Sequence, residues 1–209
     1  MTKFPLRTKR KMATREKLVR AARQLFLTKG YDNTTLEEIA ELSGLHVQTL
    51  YRHFGTKQDL AKAGDEHWFR LFEATIRDRD ETVTTFEFWR DFIETSVREL
   101  TSEQDLYRSH LRMRHSSPTI LGATQEVRYR YEDILTEHLA RDFDMPGEGM
   151  SVPRLVACAL LGGNNHALRT YEQDDSKDEN DLLTDSLSII DKCISVFGHM
   201  VKQKAHNYV

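Results

Sequence analysis

The sequence predicts an all-α protein. Apolar residues recur at spacings of three and four nearly everywhere from Thr14 onward, and few runs alternate apolar and polar residues as a strand would. Two of the four prolines, Pro118 and Pro153, stand where helices should begin, because the fixed φ of proline suits a first helical turn. We expect about nine helices.

Composition indicates a soluble, cytoplasmic protein. The 209 residues are 39% hydrophobic and 30% charged. No segment reaches the roughly 18 apolar residues that a membrane span needs, and no apolar stretch follows the basic start MTKFPLRTKRK. Cys158 and Cys193 each lie in an apolar run, which predicts buried thiols and neither a disulfide nor a metal site.

Charge is divided unevenly along the chain. Residues 1–57 hold 12 Lys/Arg and 5 Asp/Glu, and the remainder holds 18 and 28, so a basic head of +7 precedes an acidic body of −10. This division predicts that the head meets a polyanion.

The head contains signals for three helices. The first spans about residues 14–29 and ends at Gly30. Thr35 and Glu38 have the spacing of a capping box, which starts a second helix ending at Ser43-Gly44. A three-residue turn then leads to a third helix, and two short helices joined by a glycine-bearing turn form a helix-turn-helix. The first helix buries Leu18, Ala21, Ala22, Leu25 and Phe26, and the third buries Val47, Leu50 and Phe54.

The spacing GYxxTTxxxIAxxxGLxxxTLYxHFxxKxxL, from Gly30 to Leu60, closely resembles the amino-terminal domain of the TetR family of transcriptional regulators. The resemblance covers about a quarter of the chain. It implies a basic arm at residues 1–13, a DNA-binding domain at 14–57, and a ligand-binding and dimerisation domain at 58–209.

The resemblance implies how the head contacts double-stranded DNA. The third helix enters the major groove with its amino end, where Gln48 can pair with adenine, Val47 can touch a thymine methyl and His46 can donate or accept. Other positions resemble those that grip phosphate and set register. The predicted DNA-binding residues are Thr35, His46, Val47, Gln48, Thr49, Tyr51, Arg52, His53 and Lys57.

Simpler roles exist for several of these side chains. Tyr51 can pack under the first helix, His53 can be a plain surface residue, and Arg52 can pair with a carboxylate. His46 stands where the family often has a capping Ser or Thr, which leaves the start of the helix in question. Arg7, Lys9, Arg10 and Lys11 of the arm either reach the minor groove or form a solubilising tail.

The body predicts a ligand pocket. One unbroken helix is expected over residues 58–79, and the helix over 84–100 has an aromatic face too wide for a single neighbour. In the family, the larger domain encloses an effector between such helices. The candidate ligand residues are Trp89, Phe92, His110, Tyr131, His138 and His166, although each histidine can equally be a core residue bonded to a carbonyl. Arg108 and Arg112 either meet an anionic ligand or form surface ion pairs. Loops are expected at 145–149 and 173–181.

The last two helices predict a homodimer. The stretch after Leu182 has an apolar stripe wider than one partner requires, and Gly162-Gly163 permits a close approach by another helix. Family members pair these helices across a two-fold axis, so that two heads read a palindromic operator. The alternative is that the glycines pack inside one monomer. The stripe consists of Leu183, Leu187, Ile190, Ile194, Phe197 and Val201.

These patterns together predict a DNA-binding repressor released from its operator by a small, hydrophobic effector that shifts the helix after the head. The alternative is a DNA-binding adaptor controlled by a protein partner; a cavity favours the first and a filled core the second. The sequence lacks GxSxG, HExxH, P-loop and Rossmann motifs, so we expect no enzyme, cofactor or metal site.

Overall fold

The computed structural model describes residues 5–101, 104–145 and 151–202, and side chains are not described for 5–9, 104–106, 116 and 151. The described part is all-α and forms two compact units. We call Met1–His67 with Arg112–Thr124 the head unit, and Trp68–Leu111 with Gln125–Val209 the body unit. The head unit therefore extends beyond the predicted residues 14–57, because Leu60, Ala61, Met113 and Ile120 are buried in its core.

Helix α1 begins earlier than predicted. It spans Pro5–Lys29, so most of the expected arm is helical. Proline suits a first turn, and no glycine or further proline interrupts residues 6–29. Lys11 and Met12 of this added segment are exposed, and the side chains of Arg7 and Lys9 lie outside the described residues. The next helices are α2 (Leu36–Ser43), α3 (Val47–His53) and α4 (Lys57–Ala61).

The helix predicted over residues 58–79 is broken at one residue. Helix α4 ends at Ala61, its C-cap Lys62 has φ −85° and ψ 2°, and α5 (Ala63–Arg77) follows at once. A Thr56–Asp59 capping box starts α4. This break, which a search for period 3.6 does not detect, accounts for ten α-helices in the described residues against about nine predicted.

The remaining helices build the body unit and complete the head. They are α6 (Thr85–Thr101), α7 (Gln104–Ser116), α8 (Pro118–Asp142), α9 (Ser151–Gln173) and α10 (Glu179–Phe197), followed by a 3₁₀ turn at Gly198–Met200. Pro118 and Pro153 lie in first turns, as predicted. Asp178 caps α10 through a capping box with Asp181, so the helix begins inside the predicted loop 173–181. Within the loop predicted at 145–149, only Met145 is described.

Two apolar clusters form the core of the body unit. The first, the aromatic cluster, groups side chains of α5 and α6 with α8 to α10, and it includes Phe69, Phe72, Trp89, Leu160 and Leu161. The second, the tyrosine cluster, includes Tyr107 and Tyr171 with Val97, Leu111, Ala167 and Leu182. Ile93 of α6 packs against both clusters.

Several sequence-based expectations about the body change with the structure. Cys193 is buried as predicted, but Cys158 is exposed, because it lies on the outer side of α9. Within the described ranges, no helix is both long and apolar enough to cross a membrane. The same residues contain no group of three or more His, Cys, Asp or Glu side chains placed to hold a metal ion.

Candidate nucleic-acid interface

Helix α2 is set in place by its two ends. The Thr35 hydroxyl accepts from the Glu38 amide at 3.2 Å, and the Glu38 carboxylate accepts from the Thr35 amide at 2.9 Å, which confirms the capping box. Lys29 also bonds to Glu38, and this bond and that of Thr35 lower the pKa of the Glu38 carboxyl. Gly44 ends α2 at φ 68°, a conformation that favours glycine. The turn that follows leads into α3.

The amino end of α3 presents the predicted reading residues. His46 is the N-cap, and its side chain makes no capping hydrogen bond, so the position gains its geometry from the backbone alone. Gln48 is exposed, whereas Val47 is half-buried against the head core. Leu50 and Phe54 are buried in the head core and hold the helix in place. Gln48 and His46 are therefore the side chains most available to base edges.

The rest of the exposed face of α3 is polar and aromatic. Tyr51 is 51% exposed, so it does not pack under α1. Arg52 is exposed and donates from Nη2 to the Thr49 hydroxyl at 3.3 Å. A phenol, a guanidinium and a hydroxyl are all groups that bond phosphate oxygens.

A basic cluster surrounds His53, and the sequence analysis did not foresee all of it. Arg15 of α1 donates to the His53 carbonyl at 3.3 Å, and its guanidinium lies 4.1 Å from the centre of the Phe54 ring. Partial burial lowers the pKa of His53, and so do the nearby charges of Lys11, Arg52 and Arg15. Lys11 and Arg15 are four residues apart, which places them on one face of the extended α1. The four-residue spacing of Lys11 and Arg15 could have predicted this cluster, but only if α1 had been expected to begin before Thr14.

Lys57 has a structural role that its predicted phosphate contact did not include. Its ammonium donates to the carbonyls of Tyr31 at 2.7 Å, Thr34 at 2.9 Å and Asp32 at 3.4 Å, and it lies 4.4 Å from the Tyr31 ring centre. An ammonium has three protons to donate. Lys57 thus fastens the turn between α1 and α2 to the start of α4.

The predicted ligand residues divide into three groups. Trp89, Phe92 and Tyr131 meet in the aromatic cluster, with ring centres of Trp89 lying 5.8 Å from Phe92 and 6.2 Å from Tyr131. His110 is buried beside the tyrosine cluster, and His138 is half-buried, where burial and the charges of Arg141 and Arg79 lower its pKa to about 4. His166 is exposed.

The position of His166 does not match the predicted pocket role. His166 lies 11 residues after Leu155, which places both on one face of α9, and Leu155 is itself 57% exposed, so this face is the outer surface of the body unit. The helical periodicity was correct, but a nearly all-apolar helix gives no signal about which face is inside.

Arg108 mainly binds backbone, and it also forms one of the two contacts considered for it, an ion pair with exposed Asp175 at 3.7 Å. Its guanidinium donates to the carbonyls of Tyr171, Asp174 (2.8 Å) and Lys177 (2.5 Å), and it lies 3.9 Å from the centre of the Tyr171 ring. These are the orphan carbonyls at the end of α9 and in the following loop. Arg108 therefore caps α9.

Comparisons with known proteins agree with this geometry. Residues 18–63 match the family model for bacterial regulatory proteins of the TetR family. The head therefore contains a TetR-family domain. The TetR-family match begins inside α1 and ends at the start of α5, so it contains every predicted DNA-binding residue, from Thr35 to Lys57.

Two curated relatives share this head. The chain is 45% identical over 56 residues to the transcriptional regulator TcmR of Streptomyces glaucescens, which is 27% of this chain and 25% of TcmR. It is 31% identical over 68 residues to IcaR, the negative regulator of the biofilm operon icaADBC in Staphylococcus epidermidis, which is 32% of this chain and 37% of IcaR. The chain thus spans between a quarter and two fifths of the length of these relatives.

Solved structures share the whole fold. SmeT, the repressor of the Stenotrophomonas maltophilia multidrug efflux pump SmeDEF, was solved alone and as a complex with triclosan. The complex has a TM-score of 0.68 at 22% identity, over 88% of this chain and 91% of SmeT. FadR of Bacillus subtilis, solved with stearoyl-CoA, has a TM-score of 0.63 at 22% identity, over 86% and 97%.

Proposed function

We propose that this TetR-family protein is a homodimeric repressor that leaves its operator when a small hydrophobic effector binds the body unit. The observation that carries the DNA-binding part is helix α3, which exposes Gln48 and His46 at its amino end and has the basic cluster of Lys11, Arg15 and Arg52 around His53 at its carboxyl end. A base-reading amide flanked by phosphate-binding cations is the arrangement that a major-groove helix needs.

Repression and effector release are supported by the proteins that this chain resembles. IcaR is a negative regulator and SmeT is a repressor, and structures of SmeT and FadR contain triclosan and stearoyl-CoA. In this chain, Trp89, Phe92 and Tyr131 provide an aromatic surface for an apolar ligand. Release requires that the effector bind the DNA-free state more tightly than the DNA-bound state, because only differential affinity shifts the equilibrium.

Dimerisation is supported by apolar residues on the outer faces of α9 and α10. Leu155 of α9 and Val196 of α10 are 57% and 56% exposed. A shallow groove of about 500 Å³ runs along α10 and is lined by Thr184, Leu187, Ser188, Asp191, Lys192 and Ser195. A dimer that pairs two-fold through these faces would recognise a palindromic operator.

The DNA-binding part is tested by selecting operators from random DNA with the purified chain and then comparing Gln48→Ala with the wild type. We expect the selected site to be palindromic. We also expect Gln48→Ala to reduce the ratio of specific to nonspecific affinity by about 10-fold or more, because a bidentate amide–adenine pair contributes about 1–3 kcal/mol of discrimination. Gln24→Ala, an exposed glutamine on α1, is the matched control.

Selection without any preferred sequence would refute operator recognition. An unchanged ratio for Gln48→Ala would leave operator binding in place but remove Gln48 as a reader. In that case His46 and Val47 become the remaining candidates.

A DNA-binding adaptor controlled by a protein partner is the second candidate. The observation that favours it is the filling of the aromatic cluster, where the Phe72 ring centre lies 4.7 Å from that of Tyr131 and 5.3 Å from that of Phe92. A thermal-shift screen of hydrophobic and anionic metabolites separates the candidates. An effector raises the melting temperature and releases the operator, whereas an adaptor responds to none of the compounds.

A further inference from the structure

A buried amide on α9 has no hydrogen-bond partner among the described residues. Asn164 is 7% exposed, and neither its Nδ2 nor its Oδ1 is bonded. Exchanging the two atoms would change nothing, so the observation does not depend on how the amide is oriented. Buried polar side chains nearly always have hydrogen-bond partners. A buried amide whose N–H donors and whose oxygen acceptor both lack a partner therefore requires an explanation.

Asn164 lies where the two apolar clusters of the body unit meet. Leu160 and Leu161, one turn before it, belong to the aromatic cluster. Ala167 and Leu168, one turn after it, belong to or pack on the tyrosine cluster. The amide thus lies between apolar residues of both clusters, and leucine would fit the local pattern better.

A second unpartnered donor lies in the aromatic cluster. Trp89 is 2% exposed, and its Nε1 has no acceptor within the described part of the chain. Its ring is held among Phe72 at 5.6 Å, Phe92 at 5.8 Å and Tyr131 at 6.2 Å between centres. Trp89 belongs to the same cluster as Leu160 and Leu161, the residues one turn from Asn164.

Three arginines beside the two clusters of the body unit already have partners. Arg79 forms a two-bond ion pair with Asp142, at 3.0 and 3.3 Å, and also donates to the Thr85 hydroxyl. Arg108 binds three carbonyls, and the Arg130 guanidinium lies 3.9 Å from the centre of the Phe69 ring. Since burying an unpaired anion is costly, these partners leave a neutral molecule as the better ligand.

We infer that the body unit takes a neutral, mainly aromatic ligand whose hydroxyl or carboxamide group bonds to Asn164, with Trp89 Nε1 as an additional donor to a ligand oxygen. A hydroxyl can donate to Oδ1 and accept from Nδ2, so one such group satisfies both sides of the amide. The inference rests on the proposed function, because it names the chemical class of the effector.

The test measures dissociation constants for naphthalene, 2-naphthol, 2-naphthamide and 2-naphthoate with the full chain. These probes share one apolar body and differ in the polar group. We expect wild type to bind 2-naphthol or 2-naphthamide about 5-fold more tightly than naphthalene and 2-naphthoate, since a net hydrogen bond contributes about that factor. Equal binding of all four, or a preference for 2-naphthoate, overturns the inference, as does the absence of binding.

Variants assign the preference to Asn164. Asn164→Leu should remove the advantage of the hydroxyl and the carboxamide, and Trp89→Phe, which deletes only the N–H and part of the ring, should reduce it. Asn165→Leu, the same substitution at the adjacent half-buried residue, should keep it. A preference that survives both Asn164→Leu and Trp89→Phe overturns the inference.

Thermal stability provides an independent readout. Asn164→Leu should raise the melting temperature by roughly 3–6 °C, because it removes buried groups without partners and keeps the number and branching of the side-chain heavy atoms. A lower melting temperature would show that the amide has a structural partner, and the inference would then fail. Operator binding by wild type is measured in parallel. If wild type binds no operator, the proposed function is refuted. If wild type binds its operator but Asn164→Leu leaves the ligand preference unchanged, only the ligand class is refuted.

Discussion

Lys57 has an observed structural role and a predicted phosphate contact, and a binding assay alone does not separate the two. A family-like phosphate contact predicts that Lys57→Met weakens operator binding and nothing else. The three carbonyl bonds of the ammonium predict a further loss of about 2 kcal/mol in the stability of the head, because hydrogen bonds to charged groups are worth more than neutral ones.

Urea unfolding separates these two functions of Lys57. Lys57→Met should lower the unfolding midpoint clearly, whereas Lys29→Met, which removes an exposed ion pair with Glu38, should change stability by less than about 1 kcal/mol. If Lys57→Met unfolds at the wild-type midpoint while operator affinity falls, the carbonyl bonds are energetically unimportant and the phosphate contact alone explains the residue.

We expect His53 to make operator binding depend on pH. Partial burial lowers its pKa below the ordinary histidine value, and the charges of Lys11 and Arg15 on α1 and Arg52 on α3 lower it further. A docked phosphate neutralises those cations and favours the imidazolium, so the pKa rises and binding takes up a proton. Operator affinity should therefore increase as pH falls from the pKa of the complex towards the lower pKa of the free protein.

Fluorescence anisotropy with a labelled operator at constant ionic strength measures this dependence. Wild type should bind more tightly at pH 6 than at pH 7.5, and His53→Gln should show a smaller increase. An equal pH dependence in the two proteins would mean that His53 stays unprotonated on DNA.

At the scale of elements, local signals were predictable and distant contacts were not. The capping box of α2 and the left-handed Gly30 and Gly44 each depend on residues within one turn, so the sequence contains all the information. The function of Lys57 depends on carbonyls 23 to 26 residues away, and that of Arg108 on carbonyls 63 to 69 residues away. Neither is visible in a local pattern. The same limit explains His166, because periodicity identifies faces but not which face another helix covers.

Helix packing between α9 and α10 depends on a single glycine. A Cβ at Gly163 would lie 2.2 Å from Ile189 Cγ2, whereas one at Gly162 would have only Arg128 Nη2 nearby, at 3.8 Å. Gly163 thus allows a close approach within one monomer. Gly162→Ala should stabilise the protein by about 0.5–1 kcal/mol through helix propensity. Gly163→Ala should be net destabilising by about 1–2 kcal/mol, because overpacking against a β-branched side chain outweighs that gain.

Equilibrium urea unfolding measures the stability of the two variants. We expect the free energy of unfolding to rise for Gly162→Ala and to fall for Gly163→Ala. Stabilisation by Gly163→Ala would indicate that α10 can shift away without loss, and close packing between the two helices would then be unimportant for stability.

At the scale of the whole molecule, the net charge is divided between the two parts of the chain. The first 57 residues have a net charge of +7 and the remainder −10, and two of the most exposed apolar residues, Leu155 and Val196, lie on the last two long helices. Association through the body leaves both basic heads available to one polyanion. Because the two heads then bind as a unit, disrupting the dimer should weaken operator binding even though no DNA contact is changed.

Leu155→Glu and Val196→Glu test this coupling. A two-fold interface brings each glutamate into an apolar contact in both subunits, and burying unpaired carboxylates costs several kcal/mol. We expect sedimentation velocity to show monomers, and the concentration for half-maximal operator binding to rise about 10-fold or more. Leu71→Glu, at a 39% exposed leucine of α5, should remain dimeric with unchanged affinity. Dimers that persist in both α9 and α10 variants would place the interface on another surface, and monomers that bind the operator as tightly as wild type would show that a single head suffices.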